Sequence, residues 1–356
     1  MAEPGISADQ VLLGMVNAQS GPASGLGAGV AAGAQAYFLR VNAAGGIHGR
    51  KIRLLLRDDG YEPARTAALT RELIEQDQVF ALLGYVGTPT SRAALPVALD
   101  AEVPYLFPFT GAEFLRKPLR KTVFNVRASY YDETEAIAEH LSQDPQIASI
   151  AILMQDDSFG ETVKGGLAGA LYGRGRHIQA EARIKRNSLE VAAAVQALKA
   201  AQPDAIVFVG TYSQLAAAVK EARRIGLNAR FLTVSFIGTE HFISAAGAAA
   251  QGVYITQVMP SPYNLSLPLI QQYLQDIPPA DIGYASLEGY VDAWVFSEAL
   301  RKAGREPSRE GLLNALQTLR VDLGGFALAF SPDSHQGSRA VFLTRIDNGQ
   351  ALPVQQ

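Results

Sequence analysis

The chain of 356 residues has no cysteine. That excludes disulfides, thiolate metal sites and cysteine nucleophiles together, while leaving the redox compartment open. Histidine is sparse: His48, His140, His177, His241 and His335 are scattered, with no H-x-x-x-H pair to grip a metal. No run of five or more basic residues occurs and the formal net charge is −3, so there is no electrostatic footprint for nucleic acid. No apolar stretch approaches the roughly 18 residues of a membrane span. G-x-x-x-x-G-K-[ST] and G-x-S-x-G are both missing, which removes the phosphate loop of an NTPase and the nucleophile elbow of a hydrolase.

What is present is ample core material, with 48% hydrophobic and 18% charged residues. The length points to two or three domains. The opening MAEPGISADQ lacks the apolar stretch of a signal peptide. Two readings follow: a cytosolic protein, or an exported one whose leader is absent from this chain.

Strands and helices alternate regularly. VLLGMV (11–16), KIRLLLRDDG (51–60), VFALLG (79–84) and VPYLFPF (103–109) read as buried strands. Between them lie helical patterns over 29–42, from Pro63 onward, and from Thr88-Pro89, where Thr88 reads as an N-cap and Pro96 predicts a kink or an early end. After Arg127 the rhythm restarts: strands at 147–154, 177–184, 204–210 and 229–235 alternate with helices at 161–172, 188–201 and 212–225. Two such runs predict an α/β fold of two lobes with parallel sheets covered on both faces.

Ligands of open parallel sheets bind beyond the carboxyl ends of the strands. The residues to inspect are therefore NAQSGPASG (17–25), DDGYEP (58–63), GYVGTPTS (84–91), FTGAEF (109–114), QDDSFG (155–160), GTYSQ (210–214) and FIGTEHF (236–242). Residues 27–32 fit GxGxxA, the turn of a dinucleotide site. However, Asn17 to Gly25 separates it from its strand, and Asp58 lies 29 residues after Gly29 where about 20 is expected. Gly27, Gly29 and Gly33 are better read as small residues packing a helix against the sheet. A nucleotide-dependent enzyme is thus the weaker reading, and no cofactor is expected. The acid pairs Asp58-Asp59 and Asp156-Asp157 read as solvated loop charges or helix caps.

Taken in order, the segments NAQSGPASGLGAGVAAGAQ, GYVGTPTS, PYLFPFTGAEFLR, FNVRASYYDETEA, QDDSFGE, GTYSQ, FIGTEHF and YASLEGYVDAW resemble the leucine/isoleucine/valine-binding group of periplasmic solute-binding proteins of ABC transporters. The resemblance runs over nearly the whole chain. It implies two Rossmann-like lobes (type I periplasmic binding protein fold) joined by three hinge crossings, near 125–127, 256–257 and 331–333. The first lobe would comprise 1–124 and 257–333, the second 125–256 and 334–356.

The resemblance also implies a site and a role. Ser20, Leu26, Tyr85, Gly87, Thr88, Phe109, Thr110, Gly111 and Tyr284 would line it from the first lobe; Phe159, Thr211, Tyr212 and Glu240 from the second. Thr88 and the Phe109-Thr110-Gly111 loop would hold an amino acid head group, whose carboxylate suits a helix N-terminus. Glu240 matches the acid that takes the ligand ammonium. Leu26 and Phe159 stand where the amino-acid binders carry tyrosine, so the ligand side chain is left open, as is a small aromatic carboxylate in place of an amino acid. A ligand-sensing domain is a further reading of the same fold. The expected partners are a small-molecule ligand and ABC permease subunits, with no metal; the expected state is a monomeric, periplasmic, non-enzymatic protein. Tyr290 and Trp294 read as core helix residues.

Overall fold

A computed structural model describes residues 3–354. The chain opens with β1 (Gln10–Asn17), α1 (Ser24–Ala43), β2 (Lys51–Asp58), α2 (Pro63–Glu75), β3 (Ala81–Leu83), α3 (Thr88–Asp100), β4 (Tyr105–Leu106) and β5 (Val123–Phe124). Next come α4 (Tyr130–Gln143), β6 (Ile150–Gln155), α5 (Ser158–Tyr172), β7 (Ala180–Ile184), α6 (Ala192–Ala201), β8 (Ala205–Val209), α7 (Tyr212–Arg224), β9 (Arg230–Thr233), α8 (Thr239–Ala246) and β10 (Tyr254–Gln257). The remainder is α9 (Pro268–Asp276), α10 (Tyr284–Ala303), α11 (Arg309–Gln317), β11 (Arg320–Asp322), β12 (Ala327–Ala329), β13 (Phe342–Asp347) and β14 (Gln350–Pro353). No helix among the described residues is long and apolar enough to cross a membrane.

The chain divides into two compact units. The first runs to Thr110 and resumes over Phe114–Arg127 and Met259–Arg339. Its sheet is parallel, in the order β2-β1-β3-β4-β5. The second takes Gly111–Glu113, Ala128–Val258 and the chain from Ala340. Its parallel strands run β10-β9-β8-β6-β7, and β13 and β14 extend the β10 edge antiparallel. The central strands are buried on both faces, as in β6 and β8, where every residue is buried, whereas β2 and β7 at the sheet edges keep partly exposed residues.

Residues 334–339, expected with the second lobe, group with the first unit. Their backbone explains it: Asn125 N–H donates to His335 O (2.8 Å), Gly337 N–H to Asn125 O (2.8 Å) and Ser338 N–H to Val126 O (3.0 Å). Residues 111–113 group instead with the second unit, where Tyr130 N–H donates to Gly111 O at 2.7 Å.

Four local expectations are corrected. Helix α1 begins at Ser24 rather than Gly29, and Gly27, Gly29 and Gly33 all lie inside it. A Cβ on Gly27 would overlap the Ala18 carbonyl and one on Gly33 the Ser286 carbonyl, so α1 packs closely on its own entry loop and on α10, not only on the sheet. Helix α3 continues through Pro96. Pro96 and Arg92, whose carbonyl loses its N–H donor, are both exposed, so that carbonyl is not left in an apolar core. Thr88 is the first helical residue of α3 and Gly87 is the N-cap. Asp59, finally, is fully buried rather than solvated.

Candidate functional site

Both units share one strand order. The first reads 2-1-3-4-5, and in the second β7-β6-β8-β9-β10 repeats it. In this order the chain reverses direction of winding between the first and third strands, and the crevice beyond their carboxyl ends is the ligand position of doubly wound sheets. The loops at these two switch points are NAQSGPASG and GYVGTPT in the first unit, and QDDSFG and GTYSQ in the second. Most of the sequence-derived candidates fall on them.

In the first unit the structure joins Gly87, Thr88, Phe109 and Thr110. Gly87 N–H donates to Phe109 O (3.2 Å) and Phe109 N–H to Tyr85 O (2.7 Å). Gly87 has φ 108°, and a Cβ there would collide with the Tyr61 ring, so the position takes glycine. The hydroxyls of Thr88 and Thr110 lie 2.7 Å apart and are buried. No side chain caps α3, so its first turn presents N–H groups and partial positive charge beside this hydroxyl pair.

Other candidates of this unit are committed elsewhere. Tyr85 donates to or accepts from Thr70 Oγ1 at 2.9 Å, and its ring packs 5.0 Å from Tyr105; burial pushes its phenol well up. Ser20 Oγ donates to Asp58 Oδ2 at 2.6 Å. Asp58 also accepts the amides of Gln19 and Gly60, both at 2.9 Å. Burial works against its charge, but these hydrogen bonds prevail and hold the carboxyl below its ordinary range. Ser20 therefore braces the loop after β1. Leu26 is fully buried in the first turn of α1, and Tyr284 opens α10 with little exposure.

Behind Phe109 stands a buried charge group that sequence patterning does not reveal. The Arg127 guanidinium lies 4.7 Å from the Phe109 ring centroid, and its Nε is 3.2 Å from Glu288 Oε1. Asp292, one turn further along α10, is also buried. Burial, and then the Glu288 charge, push its carboxyl well above the ordinary range against the pull of Arg127. The available signal was two acids at i and i+4 in the buried first half of α10, whose other charges, Glu298, Arg301 and Lys302, lie toward its end; their cationic partner is about 160 residues away in sequence.

In the second unit Phe159 is buried in the first turn of α5, with Tyr130 at 5.3 Å and Phe236 at 4.7 Å between ring centroids. The Asp157 side chain N-caps that helix by accepting Phe159 N–H at 2.9 Å. Thr211 precedes α7, where Gln214 Oε1 accepts its N–H (3.2 Å). Tyr212 lies 5.1 Å from His241, an aromatic neighbour the sequence reading passed over. Glu240 is half-buried in the first turn of α8, where the helix dipole favours a carboxylate.

The loop carrying Glu240 is held from below by Glu133 of α4. This fully buried carboxylate accepts Ser235 N–H (2.7 Å), Ser235 Oγ–H (2.9 Å) and Thr256 Oγ–H (2.6 Å). One acid thereby links α4, the loop after β9 and strand β10.

The sequence profile of the periplasmic binding protein family matches residues 10–351, and the chain belongs to that family. A solved structure of a possible leucine/isoleucine/valine-binding protein from Rhodopirellula baltica is 32% identical, with a TM-score of 0.91 covering 98% of this chain and 97% of that one. A fatty acid ABC transporter substrate-binding protein from Thermomonospora curvata, 23% identical, shares the fold with a TM-score of 0.90 over 100% of this chain and 94% of its own. An amino acid binding protein of Pseudomonas aeruginosa is 22% identical over 69% of this chain, and the match spans 66% of that protein's length. The fold is thus that of the type I periplasmic binding proteins, in the leucine/isoleucine/valine-binding group, whose members bind solutes and are not enzymes.

Proposed function

We propose that this protein is the extracytoplasmic solute-binding component of an ABC importer and that its ligand is an amino acid with an apolar or aromatic side chain. The observation that carries this reading is the uncapped start of α3 with the Thr88–Thr110 hydroxyl pair beside it. Backbone N–H groups, a hydroxyl proton and a positive helix end suit a carboxylate. Glu240, at the edge of the second unit's strand-end loops, supplies the acceptor for an ammonium. Leu26, Phe109, Phe159, Tyr212 and Tyr284 supply apolar surface.

In this account ligand binding shifts the protein to the form that a membrane permease receives. The protein works as a monomer in the periplasm. A thermal-shift screen against amino acids, aromatic acids and fatty acids tests the class of ligand, and Glu240→Gln tests the ammonium contact. A carboxylate lacking an amine is a second reading: Leu26 and Phe159 supply apolar surface where the amino-acid binders carry tyrosine, and one structural neighbour is a fatty acid binder. Under it, Glu240→Gln would leave affinity unchanged.

A further inference from the structure

The second unit has a concave surface at the opposite end of its sheet from the switch-point loops. It is a pocket of 380 Å³ lined by Arg223, Arg230, Arg345, Tyr254, Gln251 and Gly252, among others. Arg230 and Tyr254 open β9 and β10, and Arg345 lies on β13 opposite Tyr254. These positions are at the amino ends of the parallel strands, whereas Thr211, Tyr212 and Glu240 follow their carboxyl ends.

Charge is unevenly satisfied there. Arg230 pairs with Asp144 at 2.8 Å. Arg223 commits Nε and Nη2 to main-chain oxygens, Nη2 lying 3.1 Å from Ala249 O and 2.9 Å from Gln251 O, while Nη1 makes no such bond, and no carboxylate among the described residues pairs with it. Arg345 has no ion pair among them either; its guanidinium carbon lies 5.8 Å from the Tyr254 ring centroid, and that of Arg230 lies 5.6 Å from the same ring. The other acid of the rim, Asp347, accepts a hydrogen bond from Gln251 Nε2 at 2.7 Å. Three guanidiniums therefore meet one paired carboxylate. The Tyr254 ring limits the freedom of two of them by cation–π contact, and guanidinium forks match tetrahedral oxyanions bidentately.

The geometry points to a binding site for a multiply charged oxyanion of the phosphate type in this pocket, held chiefly by Arg345 and Arg223, with Arg230 fixing Tyr254 beside them. The charge of such a group complements the two guanidiniums that lack a carboxylate. Its source is either a soluble phosphate or the phosphate of a lipid headgroup.

Calorimetric titration of the full chain with inorganic phosphate, at low and constant ionic strength, tests the site. Saturable binding is expected, weakened at least tenfold in Arg345→Gln and further in the Arg223→Gln, Arg345→Gln double variant. Because Arg345 is exposed and unpaired, its replacement leaves the fold intact, which an unchanged unfolding temperature without phosphate verifies. Flotation with phosphatidylglycerol vesicles assigns the source. Retention that Arg345→Gln abolishes indicates a lipid headgroup, and no retention with phosphate binding intact indicates a soluble oxyanion. No phosphate binding, or binding and retention that Arg345→Gln does not reduce, overturns the proposal.

Discussion

The hydroxyl oxygens of Thr88 and Thr110 stand 2.7 Å apart at the start of α3, both fully buried. Each hydroxyl owns one proton, and their mutual bond consumes one of the two. A carboxylate at the helix start is the acceptor this arrangement suits.

Replacing Thr88 by Val keeps the shape and deletes the hydroxyl. A hydrogen bond to a charged group contributes about 1.5–3 kcal/mol, so affinity for an amino acid should fall about ten- to a hundredfold. Thr88→Ser should keep it within about threefold. Titration calorimetry on both variants decides; equal affinity of wild type and Thr88→Val removes the hydroxyl pair from the site.

Asp59 gives the chain a pH signature. It is buried, accepts Tyr61 N–H and Thr66 Oγ–H at 2.8 Å each, and burial pushes its carboxyl up to about 6 from 3.8. Between those values the folded protein holds a proton that the unfolded chain has released. Its contribution to stability is therefore fully present at acid pH and is lost as pH rises through about 6. A shift of this size corresponds to on the order of 3 kcal/mol. Asp59→Asn should flatten the fall in unfolding free energy from pH 4 to 7 relative to wild type. An unaltered slope would show that Asp59 ionises normally.

Arg127 and Asp292 should respond in opposite ways. Arg127→Met strands the buried Glu288 carboxylate and should cost about 3–5 kcal/mol. Asp292→Asn replaces a carboxyl whose charged form burial disfavours by an amide of the same shape and should change stability by less than about 1 kcal/mol at pH 7. Denaturant unfolding measures both, and a large loss in Asp292→Asn would mean that the acid is ionised in the folded state.

These charges also mark where the sequence stops being readable. The strands were legible because apolar runs such as VLLGMV and DAIVFVG are buried on both faces, and the loops because they follow each strand directly. The second strand-order repeat was visible as a restart after Arg127. The start of α1 was misplaced because Ser24 and Gly25 read as loop residues, whereas Gly27 is chosen by the closeness of the Ala18 carbonyl, a tertiary fact. Pro96 was read by its local penalty, which exposure of its turn relieves. Asp59 reads as a loop charge or cap, and Glu133 and Glu288 give no signal of their burial, because their partners come from other segments: Thr66 across a turn, Ser235 and Thr256 more than 100 residues on, and Arg127 from the edge of its unit.

Glu240→Gln should weaken the amino acid ligand about ten- to a hundredfold, by the loss of a charged hydrogen bond. The variant should keep its unfolding temperature, because Glu240 lies at a partly exposed helix start.

The most direct test of the amino acid account is calorimetric comparison of one ligand pair. The apolar amino acid with the largest thermal shift is titrated beside its analogue lacking the α-amine. The account predicts that the analogue binds at least about tenfold more weakly to wild type, and that Glu240→Gln erases most of that difference. Equal affinity of the two ligands for wild type would contradict it and make the protein a binder of simple carboxylates.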